Sequence, residues 1–127
     1  MSQLRTQPLA YDENSAFVAR RFVRQFGAEH NLGSTEVQCL IASELVTNAF
    51  LHGGEPLGLT LQYQNDELTI EVADGDPRID DVRMRAVDQP RPGGRGLRIV
   101  ASLAKRWGAR PFRSGKQVWA ATDAPHA

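Results

Sequence analysis

Residues 57–74 read LGLTLQYQNDELTIEVAD. Leu57, Leu59, Leu61 and Tyr63 alternate with small or polar residues, and Leu68, Ile70 and Val72 alternate again after Asn65-Asp66. A period of two on either side of a short polar turn predicts a β-hairpin with one apolar face. Upstream the period is different. From about Asn14 to Gly27, Val18, Phe22 and Phe26 recur every four residues with Ala19 and Val23 beside them, while Arg20, Arg21 and Arg24 lie opposite. That pattern predicts an amphipathic helix. Gly33-Ser34 offers a second helix start, and Val37, Leu40, Ile41 and Leu45 carry that helix to Gly53-Gly54.

Downstream of the hairpin, residues 75–94 contain few apolar side chains but carry Pro77, Pro90, Pro92 and many charges. So long a stretch without structure inside a compact domain is a lid, a binding loop or a disordered segment. A third helix is expected from about Gly96, with Leu97, Val100, Leu103, Ala104 and Trp107 inward. Lys105 and Arg106 would sit at its C-terminal dipole, and Gly108 would stop it. Arg110–Arg113 and Gln117–Ala121 then flank Ser114-Gly115 as a second hairpin. Two helices, a hairpin, a loop, a helix and a hairpin give an α+β two-layer sandwich, with helices on one face of a mainly antiparallel sheet. The domain is read as residues 13–121. The polar segment 1–12, which contains Pro8, is expected to be a flexible lead-in, and 122–127 a loose tail.

Composition narrows the function. The chain of 127 residues balances fifteen basic against fifteen acidic side chains, which argues against a nucleic-acid surface, where excess positive charge must displace counterions. The longest apolar runs are a few residues, too short to span a membrane, and the first twelve residues do not read as a signal peptide. The expected compartment is the cytoplasm. Cys39 is the single cysteine; it excludes an internal disulfide and a cysteine-rich metal site and reads as a packing residue.

The informative residues are polar ones that interrupt the core pattern. On a helix turning about 100° per residue, with Val37 at zero, Glu44 falls near about −20°, Asn48 near about +20° and His52 near about +60°. All three then lie on the predicted apolar stripe, where an unpartnered carboxylate is costly. Either the helix end is wet, or Glu44 has a structural basic partner such as Arg20, or Glu44 is a base and Asn48 a ligand for a hard cation. Asp74 shares the strand face of Leu68, Ile70 and Val72. It either opens a turn before Gly75 or accepts a ligand's donor, for which an adenine amino group is suitable. Gly93-Gly94-Arg95-Gly96-Leu97 would bring backbone N–H groups to phosphates at a helix start, although its spacing is not that of a P-loop.

Taken in order, these stretches resemble the GHKL ATPase superfamily, which includes gyrases and histidine kinases and carries the Bergerat fold. Glu44-Leu45-Val46-Thr47-Asn48-Ala49-Phe50-Leu51-His52 looks like its N box, Asp74-Gly75 like the start of its first glycine box, and Gly94-Arg95-Gly96-Leu97 like its second. The resemblance implies ATP and Mg²⁺ as cofactors. Glu44 would be the base, Asn48 the metal ligand, Asp74 with Gly75 the adenine contact, and Gly94, Arg95, Gly96 and Leu97 the phosphate contacts. The ending Trp107-Gly108 followed by Gly115-Lys116-Gln117-Val118-Trp119 is most similar to the anti-sigma-factor serine/threonine kinase branch. That branch implies an anti-anti-sigma (STAS-type) protein or a sigma factor as partner, and a possible homodimer. Two positions depart from the pattern. Asp76 and Arg78 stand where the first glycine box carries its later glycines, and Lys116 stands where the last box carries a threonine. A protein kinase and a non-catalytic module that sequesters a regulator, with nucleotide at most a switch, are both compatible with these residues.

Overall fold

The two-residue alternation from Leu57 onward is realised as strands β2 (Leu57–Gln64) and β3 (Glu67–Asp74) in a computed structural model that describes residues 3–79, 82 and 94–127. Asn65 and Asp66 both adopt positive φ (56° and 60°), the left-handed pair that a two-residue hairpin turn requires. The inward residues Leu57, Leu59, Leu61, Leu68, Ile70 and Val72 are all buried. The remaining elements are β1 (Gln3–Leu9), α1 (Ser15–Glu29), α2 (Glu36–His52), α3 (Gly94–Leu103), β4 (Arg106–Phe112) and β5 (Gly115–Asp123). The strands form one sheet in the order β1-β2-β3-β5-β4, every neighbouring pair antiparallel. The helices form a second layer: α1 and α3 pack against α2, and α2 lies over β3. The architecture is the α+β two-layer sandwich expected from the sequence. Among the described residues no helix is long and apolar enough to cross a membrane.

Four local expectations are corrected. Segment 1–12 is not a loose lead-in, because Gln3–Leu9 forms the edge strand β1, paired with β2 from Gln3↔Tyr63 to Leu9↔Leu57. Its side chains are mostly exposed, so it has no alternation to read, and Pro8 is tolerated because an edge strand pairs on one side only. The C-terminal tail is also held: the Gly33 N–H donates to the Pro125 carbonyl (3.0 Å) and the Ala127 N–H to the Asn31 carbonyl (2.9 Å).

Helix α3 starts at Gly94 and stops at Leu103, so Lys105, Arg106 and Trp107 do not belong to it. The Ala104 N–H still donates to Val100, but the Lys105 N–H donates to the Ala121 carbonyl (2.9 Å), and β4 begins there. Trp107 reaches the core from a strand rather than from a helix. The fourth correction concerns which face of α2 is inward. Val37 and Leu40 are each 42% exposed, whereas Gln38, Ile41, Ala42, Leu45, Val46 and Ala49 are buried. This set centres about 110° round the helix from Val37. Because α2 is apolar on nearly every side, its period does not specify the face it buries. The expected lid lies outside the described residues from 80 to 93, Gly93 included, except for Val82, which is buried.

Phe26 is 1% exposed at the centre of the α1 contact. Phe26→Ala is expected to lower stability by roughly 3–5 kcal/mol. Leu4→Ala, at a position 63% exposed, should change it by less than about 0.5 kcal/mol. Urea melts monitored by circular dichroism check both; equal effects would contradict the placement of the core.

Candidate functional site

The last rung of the β3–β5 ladder pairs Asp74 with Lys116. Side chains alternate across a strand, so Lys116 faces the helices with Val118 and Ala120, as Asp74 does with Val72 and Ile70. Both ionisable groups are buried, Asp74 at 4% and Lys116 at 2% exposure. They form an ion pair in which Lys116 Nζ donates to Asp74 Oδ1 at 3.0 Å and also to the Asp76 carbonyl at 3.0 Å. The Asp76 N–H donates to the same Oδ1 at 2.8 Å. Oδ1 is therefore doubly satisfied. Asp74 Oδ2 is buried, and among the described residues no donor reaches it.

The chain closes tightly around this carboxylate. A Cβ on Gly115 would lie 1.9 Å from the Asp74 carbonyl oxygen, and one on Gly53 would lie 2.6 Å from Asp74 Cγ. The two glycines let the β4–β5 turn and the end of α2 close on Asp74, an approach that no larger residue permits. The Gly75 N–H donates to the Gly54 carbonyl at 2.7 Å, tying the end of β3 to the end of α2. Tyr11 steadies the same corner: its hydroxyl donates to the Phe50 carbonyl (2.9 Å), and its ring stacks obliquely on Phe50 at 5.1 Å. These bonds satisfy part of the carbonyl set that a helix end leaves open.

Asp74 and Gly75 are thus held beside the C-terminal end of α2. Asn48 and Glu44 lie on that helix, five and nine residues before Gly53, about 7.5 and 13.5 Å along its axis. Asn48 is buried on the edge of the inward face, and Glu44 is half-buried further round. The centre of the apolar stripe, where both were expected, is instead occupied by Ala42, Leu45 and Ala49. Arg20 is not the partner of Glu44, since its guanidinium donates to Ser43 Oγ at 3.0 Å. Among the described residues no cation pairs with Glu44. His52 is half-buried in the last turn of α2.

Helix α3 contributes Gly94 to Leu97 as its first turn, and Leu97 is fully buried. The two-residue link Ala104–Lys105 makes α3 double back on β4. Strand β4 runs from Arg106, opposite Ala121, to Phe112, opposite Gly115, and so ends at the Asp74 side of the sheet.

Beyond Gly75 stand the two side chains that replace glycines in the resemblance. The Arg78 guanidinium and backbone N–H both donate to the Asp76 carboxylate. The Arg78 side chain, then the Arg78 N–H, hold the Asp76 carboxyl well below the usual carboxylate range. Among the described residues no group of three or more His, Cys, Asp or Glu side chains converges on a metal position. A metal here would rest on Asn48 and on oxygens of a ligand, as magnesium bound with phosphates does. A groove on the opposite sheet face, lined by Thr60, Ala73, Phe112 and Gln117 among others, reaches Asp74 and Gly75 but none of the other expected site residues.

Lys116 as a partner of Asp74 was not anticipated from sequence. The signal was present: counting back by twos from Ala120 and Val118 puts a lysine on the core face, just as counting forward from Leu68 puts Asp74 there. A family model described as histidine kinase-like ATPase domain matches residues 10–121. Among curated proteins none matches the chain.

Removing one member of a buried ion pair strands the other. Lys116→Met is expected to cost roughly 3–5 kcal/mol, and pairing it with Asp74→Asn should recover part of that loss in a double-mutant cycle. Strict additivity in denaturant melts would contradict the pair. Asp76 offers a pH test. Its depressed value means its stabilisation is complete above the unfolded carboxylate pKa, near about 4, and is lost as pH falls through the folded value. Because Arg78 is 67% exposed, Asp76→Asn should cost about 1 kcal/mol or less at pH 7. That gap should narrow as the pH is lowered below about 4. A gap constant with pH would contradict the assignment.

Proposed function

The chain belongs to the histidine kinase-like ATPase domain family, and on that premise we propose that it is an anti-sigma regulatory protein that binds ATP with Mg²⁺ and phosphorylates a serine or threonine of an anti-anti-sigma partner. The observation that carries the reading is Asp74 Oδ2, a buried acceptor at the end of β3 that no donor reaches among the described residues. A buried acceptor left unmet is costly, and an adenine amino group supplies the donor it lacks. The fit is to one carboxylate oxygen, since Lys116 and the Asp76 N–H already satisfy the other.

The remaining roles follow from position. Asn48 offers a hard amide oxygen to a magnesium ion whose other ligands are phosphate and water. The first turn of α3, Gly94 to Leu97, turns backbone N–H groups and the positive end of a helix dipole toward phosphates. ATP supplies the phosphoryl group and ADP as the leaving group. The incoming hydroxyl oxygen forms the new bond to phosphorus, and Glu44, half-buried on the shoulder of α2, takes the hydroxyl proton. Such transfer relies chiefly on positioning and neutralisation of charge, which a domain of this size can provide.

A second reading has an observation of its own. The Lys116 ion pair and the Asp76–Arg78 pair fill space that glycines and a threonine leave open in the resemblance. This favours a non-catalytic module that sequesters a sigma factor or another regulator, with nucleotide at most a switch. Glu44 separates the two. For a kinase, Glu44→Gln keeps nucleotide affinity within about twofold while slowing phosphotransfer by roughly 10²–10⁴-fold. Calorimetry with ATP and magnesium, and transfer of labelled phosphate to anti-anti-sigma proteins, measure the two effects. Full transfer by a folded Glu44→Gln protein would exclude the base role, and no transfer by the wild type would favour the module.

A further inference from the structure

Lys116 sits where it can alter which base the site accepts. It is fixed by the sheet register opposite Asp74, and the close approach of Gly115 to the Asp74 backbone leaves that rung no room to slide. Two of its three ammonium hydrogens have acceptors among the described residues, Asp74 Oδ1 and the Asp76 carbonyl. Its remaining hydrogen and the buried Oδ2 of Asp74, which no donor reaches among the described residues, are a donor and an acceptor held by one ion pair. We propose that Lys116 and Asp74 together read the 6-position edge of a purine, so that this chain accepts 6-oxopurine nucleoside triphosphates alongside ATP. The inference rests on the reading of Asp74 as the base contact.

The two purine types differ in hydrogen-bond pattern at this edge. Adenine presents a 6-amino donor beside the N1 acceptor; a 6-oxopurine presents a carbonyl acceptor beside an N1–H donor. A carboxylate alone offers only acceptors, so it takes the adenine amino group and repels a carbonyl oxygen. Adding an ammonium beside that carboxylate changes the balance. The N1–H of the 6-oxopurine can then donate to Asp74 Oδ2 while its carbonyl accepts from Lys116. The same ammonium also disfavours an amino group placed next to it and weakens Asp74 as an acceptor by neutralising its charge. Each effect moves selection in one direction, away from strict preference for adenine. A polar site left with an unmatched partner discriminates strongly, and one that can match both bases does not.

The test is calorimetric titration of ATP and inosine triphosphate, with magnesium, into the wild-type chain and into Lys116→Thr. The two nucleotides differ at the 6-position and N1 but share the ribose and triphosphate. The wild type is expected to bind them within about tenfold of each other, and Lys116→Thr to shift the ratio toward ATP by roughly tenfold or more, the size of a charge-assisted hydrogen bond. A wild-type preference for ATP beyond tenfold, or an unchanged ratio in a folded Lys116→Thr protein, would overturn the proposal and leave nucleotide binding intact. If Lys116→Thr does not fold, the wild-type ratio decides alone. No binding of either nucleotide would overturn both this proposal and the reading of Asp74 on which it rests.

Discussion

A carboxylate at the end of an apolar strand face must be matched, and the way Asp74 is matched organises this end of the molecule. Two charges removed from water cost several kcal/mol each, recovered only when geometry is good and the other lone pairs are used. Here Lys116 comes from the neighbouring strand, the Asp76 N–H comes from the turn, and both converge on one oxygen. The turn must therefore bend back sharply, Gly115 must lie against the Asp74 backbone, and the end of α2 must approach close enough to exclude a Cβ at Gly53. The sheet register, the α2 terminus and the start of the 75–79 segment meet at this one buried pair.

That arrangement leaves a buried acceptor at one end of the sandwich: β3 ends there with Asp74 Oδ2, which no donor reaches among the described residues, and Asn48 lies on α2 about 7.5 Å along the helix axis from Gly53. The opposite end of the sheet is held by ordinary surface charge: Lys105 and Arg106 both pair with Glu67, and this cation pair lowers the Glu67 carboxyl from its usual range. The contrast between a buried, partly unmet pair and an exposed, paired cluster, among the described residues, is what favours the Asp74 end in the proposed reading.

How much of this could be read from the chain depends on what each residue faces. The β2–β3 hairpin was legible because one face is dry and the other wet, so Leu57 to Val72 alternate cleanly. Helix α1 was legible for the same reason. Strand β1 was not, since an edge strand with exposed side chains leaves no period. Trp107 misled because a large apolar residue four positions after Leu103 continues a helical pattern, although the chain has already turned into β4. Helix α2 gave its existence but not its orientation: flanked by α1 and α3 and lying on β3, it is apolar nearly all round, and the exposed Val37, Leu40 and Leu51 imitate a core stripe. Asp74 was legible as an anomaly in a period of two. Its partner was not, because pairing Asp74 with Lys116 requires the β3–β5 register, a contact between residues 42 apart.

The central claim is that the Asp74–Lys116 pair forms the base-contacting end of a nucleotide site. Nitrogen-15 NMR of the Lys116 ammonium tests it most directly, because that group is buried and bonded to the carboxylate in question. A distinct, slowly exchanging Lys116 Nζ signal is expected, one that shifts when ATP and magnesium are added and stays in place with tripolyphosphate and magnesium. A signal that ATP leaves unmoved, or that tripolyphosphate moves equally, would contradict it.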